Sequence, residues 1–355
     1  MNKNFWKDKK VLVTGHTGFK GSWLSIWLKR MAANVTGYSL PPPTEPSLFE
    51  IAHLSEDMTS INGDIRDLEH FKSVVSSYQP EIVIHMASQT LVRYSYDNPV
   101  ETYSTNIMGA VNLLEAIRQS SNVRVVIVVT SDKCYENKEW LWGYRENDPM
   151  GGRDPYSSSK GCVELITSAY RNSFFSKKDF VHHGVAVASV RAGNVIGGGD
   201  WAKDRLIPDI MKAFMKNRPV FIRYPHAVRP WQHVLEPLSG YLSLAENLWD
   251  NGMKFARAWN FGPNGDDTKP VSWIVDHLTS LWGDGACWKL DTDNNPHEDT
   301  YIKLDCSEAR SLLGWSPKLN LSTTLEWIVK WYKNYQQETN LRSVTENEIE
   351  RFENL

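Results

Sequence analysis

A tyrosine and a lysine four residues apart, Tyr156 and Lys160, open a segment with the apolar periodicity of a helix. Residues at this spacing lie on the same face of a helix, so the two side chains can meet one ligand. An ammonium group near a phenol favours the phenolate, and so does the positive nicotinamide of an oxidised cofactor. We expect the two charges together to lower the pKa of Tyr156 from about 10 towards neutrality. Such a phenol can take a proton from a hydroxyl group while hydride leaves the same carbon. The same spacing also fits an ordinary surface pair on an exposed helix.

A second group of reactive side chains follows an apolar run. Residues 125–129 (VVIVV) are followed directly by TSDKCY at 130–135. Burying charged groups is costly unless they are paired. The strand therefore either opens into a pocket, with Ser131, Asp132 and Lys133 facing a ligand, or ends in a structural ion pair. Cys134 is interpreted as a packing residue.

Three glycines follow the first predicted strand, at Gly15, Gly18 and Gly21. The first permits a tight turn, the second lets the backbone approach a pyrophosphate, and the third lets the helix pack on the sheet. The N-terminus of the following helix provides amides and partial positive charge for phosphates. A dinucleotide is therefore expected here. The second strand ends in GYSL (37–40), with neither the acidic residue that holds a ribose nor an arginine for a 2′-phosphate, and the sequence favours NAD over NADP.

The elements that would position these residues alternate between strand and helix. Strands are predicted at 10–14, 34–38, 60–65, 81–86, 123–130 and 184–190, and helices at 19–31, 67–78, 99–120, 156–172 and 323–337. This alternation predicts an α/β fold with a doubly wound parallel sheet. We expect a dinucleotide-binding domain at 1–190, a smaller mixed α/β substrate domain at 191–337, partly interleaved with the first, and a polar C-terminal tail at 338–355.

Composition excludes several classes of function. The chain has 355 residues and a net charge of −3, which gives no electrostatic reason to expect nucleic-acid or membrane binding. Its four cysteines are far apart, which predicts neither disulfides nor a metal site and suits a reducing cytoplasm. The N-terminus does not read as a signal peptide, and no apolar run approaches the length of a membrane span.

The chain resembles the extended short-chain dehydrogenase/reductase superfamily, specifically its nucleotide-sugar dehydratases, and among these the CDP-glucose 4,6-dehydratases. The resemblance covers residues 8–337. Six segments carry it: GHTGFKG (15–21), HMASQTLVRYSY (85–96), TSDKCY (130–135), YSSSK (156–160), RAGNVIGGGDWAKDRLIPD (191–209) and RPWQHVLEP (229–237). The glycine-rich segment 191–209 best distinguishes this group from the simple alcohol dehydrogenases of the superfamily, which lack it.

The resemblance implies a reaction. Tyr156 would take the proton of the glucose C4 hydroxyl as hydride passes to NAD, water would leave across C5–C6, and hydride would return to C6. Asp132 would be the acid for water loss, which requires a raised pKa. Ser131 would lie against the C4 oxygen. Lys133 stands where related dehydratases carry a glutamate as the C5 base. Either it acts as a neutral base or it stabilises the enolate as a cation, and the alternative is that it only pairs with Asp132.

The resemblance also implies binding residues and a partner. The expected cofactor contacts are Gly15, Thr17, Gly18, Phe19, Gly21, Asp64, Ile65, Ala87, Gln89, Tyr156 and Lys160. The expected contacts to the nucleotide sugar, CDP-glucose, are Arg93, Asn194, Arg205, Arg229 and His297. Each arginine could instead be a surface ion-pair residue, and Asp64 could be an ordinary turn residue before a helix. Helices 99–120 and 156–172 are expected to form a homodimer interface, with an intramolecular core face as the alternative.

Two other functions remain open at this stage. A nucleotide-sugar 4-epimerase uses the same fold and tyrosine–lysine pair but needs no acid for dehydration, so the Asp132-Lys133 doublet argues against it. A dehydratase of another nucleotide-glucose is not excluded, because nothing in spacing or composition indicates cytosine. A cofactor-sensing regulator of the same fold usually loses the tyrosine or lysine, and this chain has both.

Overall fold

Within residues 2–292 and 301–355, which the computed structural model describes, the chain contains a seven-stranded parallel sheet, a three-stranded sheet and a two-stranded sheet. The strands are β1 (Lys10–Thr14), β2 (Asn34–Ser39), β3 (Thr59–Asn62), β4 (Ile82–His85), β5 (Val125–Val129), β6 (Ala186–Ala192), β7 (Asn194–Ile196), β8 (Val220–Ile222), β9 (Val228–His233), β10 (Ala258–Phe261), β11 (Thr268–Pro270) and β12 (Trp288–Leu290). The order of the large sheet is β10-β6-β5-β4-β1-β2-β3, which confirms the doubly wound fold.

Helices cover both faces of the large sheet and build the second half of the chain. They are α1 (Lys3–Trp6), α2 (Phe19–Arg30), α3 (Leu48–Ile51), α4 (Leu68–Tyr78), α5 (Val92–Asp97), α6 (Pro99–Tyr103), α7 (Gly109–Arg118), α8 (Pro155–Ser173), α9 (Phe180–His183), α10 (Leu206–Met215), α11 (Leu235–Asn251), α12 (Val271–Trp282), α13 (Ser307–Leu313), α14 (Leu321–Gln336) and α15 (Leu341–Glu353). Among these described helices, none is both long and apolar enough to cross a membrane.

Local sequence explains the elements that carry the reactive residues. All five residues of β5 are buried, as expected for a central strand of a parallel sheet covered on both faces. Helix α8 begins where the Asp154 carboxylate accepts a hydrogen bond from the Ser157 amide, with Pro155 in its first turn. Helix α4 begins in the same way at Asp67, as predicted.

Three predicted elements differ from the structure. The third strand ends at Asn62 rather than 65, because Gly63 passes so close to Tyr38 that a β-carbon there would lie 2.2 Å from its ring. The predicted helix 99–120 is α6 and α7 joined by a π-helical turn at Ser104–Met108. The segment expected to be a polar tail, 338–355, instead contains α15, whose Ile349 and Phe352 are fully buried against the core.

Candidate active site

The turn after β5 places a carboxyl group at the edge of the sheet where parallel strands end. The Ser131 side chain accepts a hydrogen bond from the Lys133 amide and so caps a short 3₁₀ turn, Asp132–Cys134. Ser131 Oγ also donates to Asp132 Oδ1 at 2.9 Å. Asp132 is 3% exposed, and its other oxygen, Oδ2, has no hydrogen-bond partner among the described residues. A buried, half-satisfied carboxyl group of this kind is suited to a ligand hydroxyl.

The surroundings of Asp132 favour the protonated form of its carboxyl group. Burial raises the pKa of the carboxyl group above its usual value, and the charges of Lys133 and Arg229 and the Ser131 hydrogen bond only partly oppose this. A raised pKa is what the predicted acid for water loss requires. Burial also raises the pKa of the Cys134 thiol well above its usual value, so Cys134 stays neutral, in agreement with a packing role.

Tyr156 and Lys160 lie on the face of α8 that points to this turn. Both are buried, and Lys160 Nζ lies 5.9 Å from the centroid of the Tyr156 ring. The Tyr156 amide donates to Ser95 Oγ at 3.2 Å, which fixes the start of the helix against α5. The Ser131 side chain lies close enough to the Tyr156 hydroxyl to lower the pKa of the phenol, and it also donates to Asp132, so Ser131 is a neighbour of both groups.

The pKa of Tyr156 is not lowered in the protein without its ligands, and its lowering in the presence of the oxidised cofactor stays a prediction. Burial raises the pKa of the phenol to about 12, and the Ser131 hydrogen bond and the charge of Arg205 oppose this only in part. The pKa of Lys160 instead falls to about 7, because of burial and the nearby charge of Lys20. The positive partner that would favour the phenolate must therefore come mainly from a bound ligand.

Lys20 is a member of the site that the sequence did not reveal. It is in the first turn of α2, within the glycine segment, and removal from water lowers its pKa to about 8. The charge of Arg205 lowers the pKa further and that of Asp132 raises it, so all three groups share one space. The motif contains a lysine where the following helix begins, but only the fold shows that its side chain turns towards Asp132.

The glycine turn leaves room beside the N-terminus of α2. Gly15 has a φ of +74°, and a β-carbon there would lie 2.7 Å from the Ala87 nitrogen. At Gly21 it would lie 2.1 Å from the Gly15 oxygen. These two glycines are needed by the fold itself. A β-carbon at Gly18 would meet only an ordinary contact at 3.4 Å, so the space beside Gly18 is open to a ligand, and Phe19 begins the helix there.

Other predicted cofactor residues line the same edge of the sheet. Thr17 Oγ1 donates to the Leu40 oxygen and is 2.9 Å from Ser39 Oγ, so it joins the glycine turn to the end of β2. The Gln89 side chain donates to Thr102 Oγ1 at 2.9 Å. Ala87 donates its amide to Thr14 Oγ1. These contacts place Thr17, Ala87 and Gln89 around the ends of β1, β2 and β4.

Asp64 and Ile65 lie at the far end of this edge, after β3. The Asp64 carboxylate accepts two-pronged hydrogen bonds from Arg66, which lower its pKa. Ile65 is 4% exposed, and Asn112 donates to its backbone oxygen at 3.0 Å. Asp64 is therefore neither free nor a helix cap, and its contact with an adenine stays a prediction.

The predicted sugar-nucleotide residues lie on the second half of the chain, with one exception on α5. Arg205 donates to Asp200 at 3.0 Å and to Thr90 Oγ1 at 2.8 Å, so it bridges the glycine-rich segment and the turn after β4. Arg229 lies in β9 close enough to Asp132 to affect its pKa. Asn194 begins β7, and Arg93 of α5 is 3.6 Å from Asp204. His297 lies outside the described residues.

Known proteins resemble this chain along most of its length. The profile of the family described as GDP-mannose 4,6 dehydratase matches residues 12–236. A curated CDP-glucose 4,6-dehydratase from Salmonella typhimurium is 58% identical over 349 residues, which cover 98% of this chain and 97% of that protein.

Solved structures share its fold. An epimerase from Methanothermobacter thermautotrophicus has a TM-score of 0.80 and 22% identity, with 95% of this chain and 96% of that chain covered. A dTDP-glucose 4,6-dehydratase from Bacillus anthracis in complex with NAD has a TM-score of 0.76 and 20% identity, with 93% and 98% covered.

Proposed function

The chain belongs to the family described as GDP-mannose 4,6 dehydratase. We propose that it converts CDP-D-glucose into CDP-4-keto-6-deoxy-D-glucose and water, with NAD as cofactor. The observation that carries the dehydratase reaction is the buried Asp132 carboxyl group, with its raised pKa, one serine away from the Tyr156 phenol. An epimerase needs the phenol but not this acid. The choice of CDP-glucose rests on the Salmonella relative.

The residues present fit NAD. The glycine turn has open space beside Gly18 and the amides of α2, which suits a pyrophosphate. The end of β2 carries no arginine that could bind a ribose 2′-phosphate, which favours NAD over NADP. A bound NAD would supply the hydride acceptor for sugar C4 and the hydride donor for C6. The residues that would hold it are Gly15, Gly21, Thr17, Phe19, Ala87 and Gln89, with Asp64 and Ile65 as the proposed contacts to its adenine.

Tyr156 acts on the C4 hydroxyl. The phenolate oxygen of Tyr156 takes the proton of the C4 hydroxyl while hydride leaves C4, and the Ser131 hydroxyl, which donates to Asp132, would hold the C4 oxygen. Lys160 Nζ lies 5.9 Å from the centroid of the Tyr156 ring and stabilises the phenolate when protonated. A bound NAD would add the positive charge that lowers the Tyr156 pKa from about 12.

Asp132 acts on the C6 hydroxyl. The new ketone at C4 acidifies the C5 hydrogen, so the C5–H and C6–O bonds can break in turn. Asp132 Oδ2, which faces the site without a partner among the described residues, gives its proton to the leaving C6 oxygen, and the product of that step is water. Lys133 either takes the C5 proton or stabilises the enolate. In either role, Lys133→Met slows exchange of the C5 hydrogen with solvent, and an unchanged exchange rate would make Lys133 a structural residue.

Cationic side chains hold the diphosphate. Arg229 lies close enough to Asp132, and Arg205 close enough to Tyr156, to affect the pKa of that neighbour. The resemblance adds Asn194 and His297 to the diphosphate contacts and places Arg93 near the sugar or as a brace of the active site. A guanidinium group suits a diphosphate because it can donate two parallel hydrogen bonds.

The active unit is a homodimer in this proposal. Apolar side chains on α6 to α8 are exposed in the single chain: Val100 is 80%, Met108 48% and Leu165 61% exposed. A second copy would cover them, as in a four-helix interface. Sedimentation at several concentrations tests this, and a monomer at every concentration would contradict it. The four cysteines are free thiols, in keeping with action in the reducing cytoplasm.

Incubation of the purified protein with the CDP, UDP, GDP and dTDP derivatives of glucose tests the proposed function. CDP-glucose should lose one water and give a 4-keto-6-deoxy sugar, detected by mass and by NMR, at a higher rate than the other three. Formation of CDP-galactose would identify an epimerase. Faster turnover of another nucleotide-glucose would support the dehydratase reaction but identify a substrate other than CDP-glucose.

A further inference from the structure

A buried ion pair lies directly behind the catalytic turn. Glu164 of α8 and Arg191 of β6 are 4% and 3% exposed, and Arg191 Nη2 donates to Glu164 Oε2 at 2.8 Å. Burial alone would raise the pKa of Glu164, but the charge and hydrogen bond of Arg191 lower it, so the carboxyl group stays ionised. An ion pair this deeply buried is weak evidence for stability, because desolvation offsets the attraction. Its other contacts indicate a different role.

Glu164 holds the residue that enters the catalytic turn. Thr130 Oγ1 donates to Glu164 Oε1 at 2.5 Å, and Thr130 directly precedes Ser131. The Thr130 amide also donates to the Val190 oxygen, which continues the pairing of β5 with β6. The first end of the turn is therefore tied to α8 as well as to the sheet.

Arg191 holds the residue that leaves the same turn. Its Nη1 donates to the Tyr135 hydroxyl at 2.6 Å, and Tyr135 directly follows Cys134. The Tyr135 hydroxyl in turn donates to Asn260 Oδ1 of β10 at 2.8 Å. The one ion pair therefore contacts Thr130, which precedes the turn 131–134, and Tyr135, which follows it. That turn contains Ser131 and Asp132.

The ion pair also belongs to the helix that carries the proton-transfer pair. Glu164 is four residues after Lys160 and eight after Tyr156, so the three share one face of α8. A change in the position of Glu164 would therefore move the turn relative to Tyr156. The distance between the phenol and the Asp132 carboxyl group decides whether both can reach one hexose.

We propose that Glu164 and Arg191, through Thr130 and Tyr135, form a positioning clamp that holds the Asp132 carboxyl group in register with Tyr156 during water loss. This inference rests on the proposed function, because it assigns the clamp to water loss, the second of its three chemical steps. The clamp touches neither sugar nor cofactor. It acts through the two ends of the turn.

The clamp makes a specific prediction about which step fails. Thr130→Val removes the hydroxyl that Glu164 holds and leaves Tyr156, Lys160 and the glycine turn unchanged. Water loss should slow by roughly tenfold to a hundredfold, since a shift of about 1 Å in a reacting group can cost about a hundredfold. Oxidation at C4, in which Ser131 of the same turn takes part, should slow less. The reduced cofactor should then accumulate during turnover.

Rapid mixing of each NAD-loaded protein with CDP-glucose measures this directly, with NADH absorbance reporting oxidation and product mass reporting water loss. Thr130→Val and Tyr135→Phe are the test variants, and Thr130→Ser, which keeps the hydroxyl, should restore the wild-type pattern. Ser189→Ala is the matched control, because Ser189 Oγ also donates to Glu164 at 2.7 Å but lies in β6, away from the turn. It should change stability without changing the balance between the two steps.

The outcomes separate the two hypotheses. NADH accumulation in Thr130→Val and Tyr135→Phe, but not in Ser189→Ala or Thr130→Ser, supports the clamp. Equal loss of oxidation and water loss in Thr130→Val, or the same NADH accumulation in Ser189→Ala, would overturn the clamp while the wild-type reaction stands. A wild-type protein that forms neither NADH nor dehydrated product would overturn the proposed function and the clamp with it.

Discussion

Asp132 Oδ2, which has no hydrogen-bond partner within residues 2–292 and 301–355, lies 3.1 Å from the point where a β-carbon on Gly193 would stand. The same β-carbon would lie 2.7 Å from Pro230 Cγ, which is closer than real β-carbons approach. A side chain at Gly193 would therefore crowd Pro230 and intrude on the space beside the acid. A sugar C6 hydroxyl that Asp132 protonates must occupy that space.

Gly193→Ala should close that space. We expect slower water loss and a free energy of unfolding lower by about 1–3 kcal/mol, the usual cost of overpacking. Denaturant unfolding and product formation from CDP-glucose measure the two effects. Gly265→Ala is the control, since its β-carbon would meet only Lys303 Nζ at 3.5 Å. Wild-type product formation by Gly193→Ala would show that the C6 hydroxyl does not occupy this space.

Tyr156→Phe removes the proton acceptor without changing the shape of the ring. C4 oxidation should slow by about a hundredfold to ten-thousandfold, the range for loss of a general base. NAD binding, followed by fluorescence titration, should change little because the glycine turn is untouched. Turnover at the wild-type rate would contradict the assignment of Tyr156 as the base.

Asp132→Asn keeps the shape of the acid but has no acidic proton to give. Hydride should still pass from C4 to NAD, so NADH forms, while water loss slows by about a hundredfold or more. Stopped-flow absorbance and product mass, recorded on the same sample, separate the two steps. If the variant forms dehydrated product at the normal rate, Asp132 has no part in the mechanism.

Lys160 should make the free protein less stable at low pH. Its pKa in the folded chain, about 7, is below the ordinary lysine value of 10.5, so the unfolded chain binds more protons between these values. The stability penalty is complete below pH about 7 and is relieved as the pH rises towards about 10. Lys160→Met should therefore be more stable than wild type at low pH, with an advantage that shrinks as the pH rises. Urea unfolding at several pH values measures this.

The exposed Lys178 provides the control for that series. Lys178→Met should follow the wild-type stability at every pH, because this side chain is not buried. The difference in free energy of unfolding between wild type and Lys160→Met should change with pH. A difference that stays constant would show that folding does not lower the pKa of Lys160.

Local patterns were sufficient for the parts of the fold whose residues interact with near neighbours in sequence. The apolar run of β5, the capping residue Asp67 and the four-residue spacing of Tyr156 and Lys160 each depend on short-range geometry, and the structure has these elements where they were predicted. The end of β3 depends instead on Gly63 meeting Tyr38 from another strand, which no local pattern contains.

Long-range packing explains what the sequence did not reveal about the site. The direction of the Lys20 side chain and the raised pKa of Tyr156 both follow from burial among groups far apart in the chain. The bond from Glu164 to Thr130 joins residues 34 positions apart. The segment of helix α15 resembles a polar tail because most of its residues are polar, and only the fold shows that Ile349 and Phe352 pack into the core.

The fate of the C4 hydrogen tests the central claim most directly, because Tyr156 and Asp132 are proposed to act on one hexose in one cycle. CDP-glucose labelled with deuterium at C4 should give CDP-4-keto-6-deoxyglucose with deuterium at C6, seen by NMR and mass, and no label lost to water. Product that retains deuterium at C4, or substrate converted without water loss, would contradict the account.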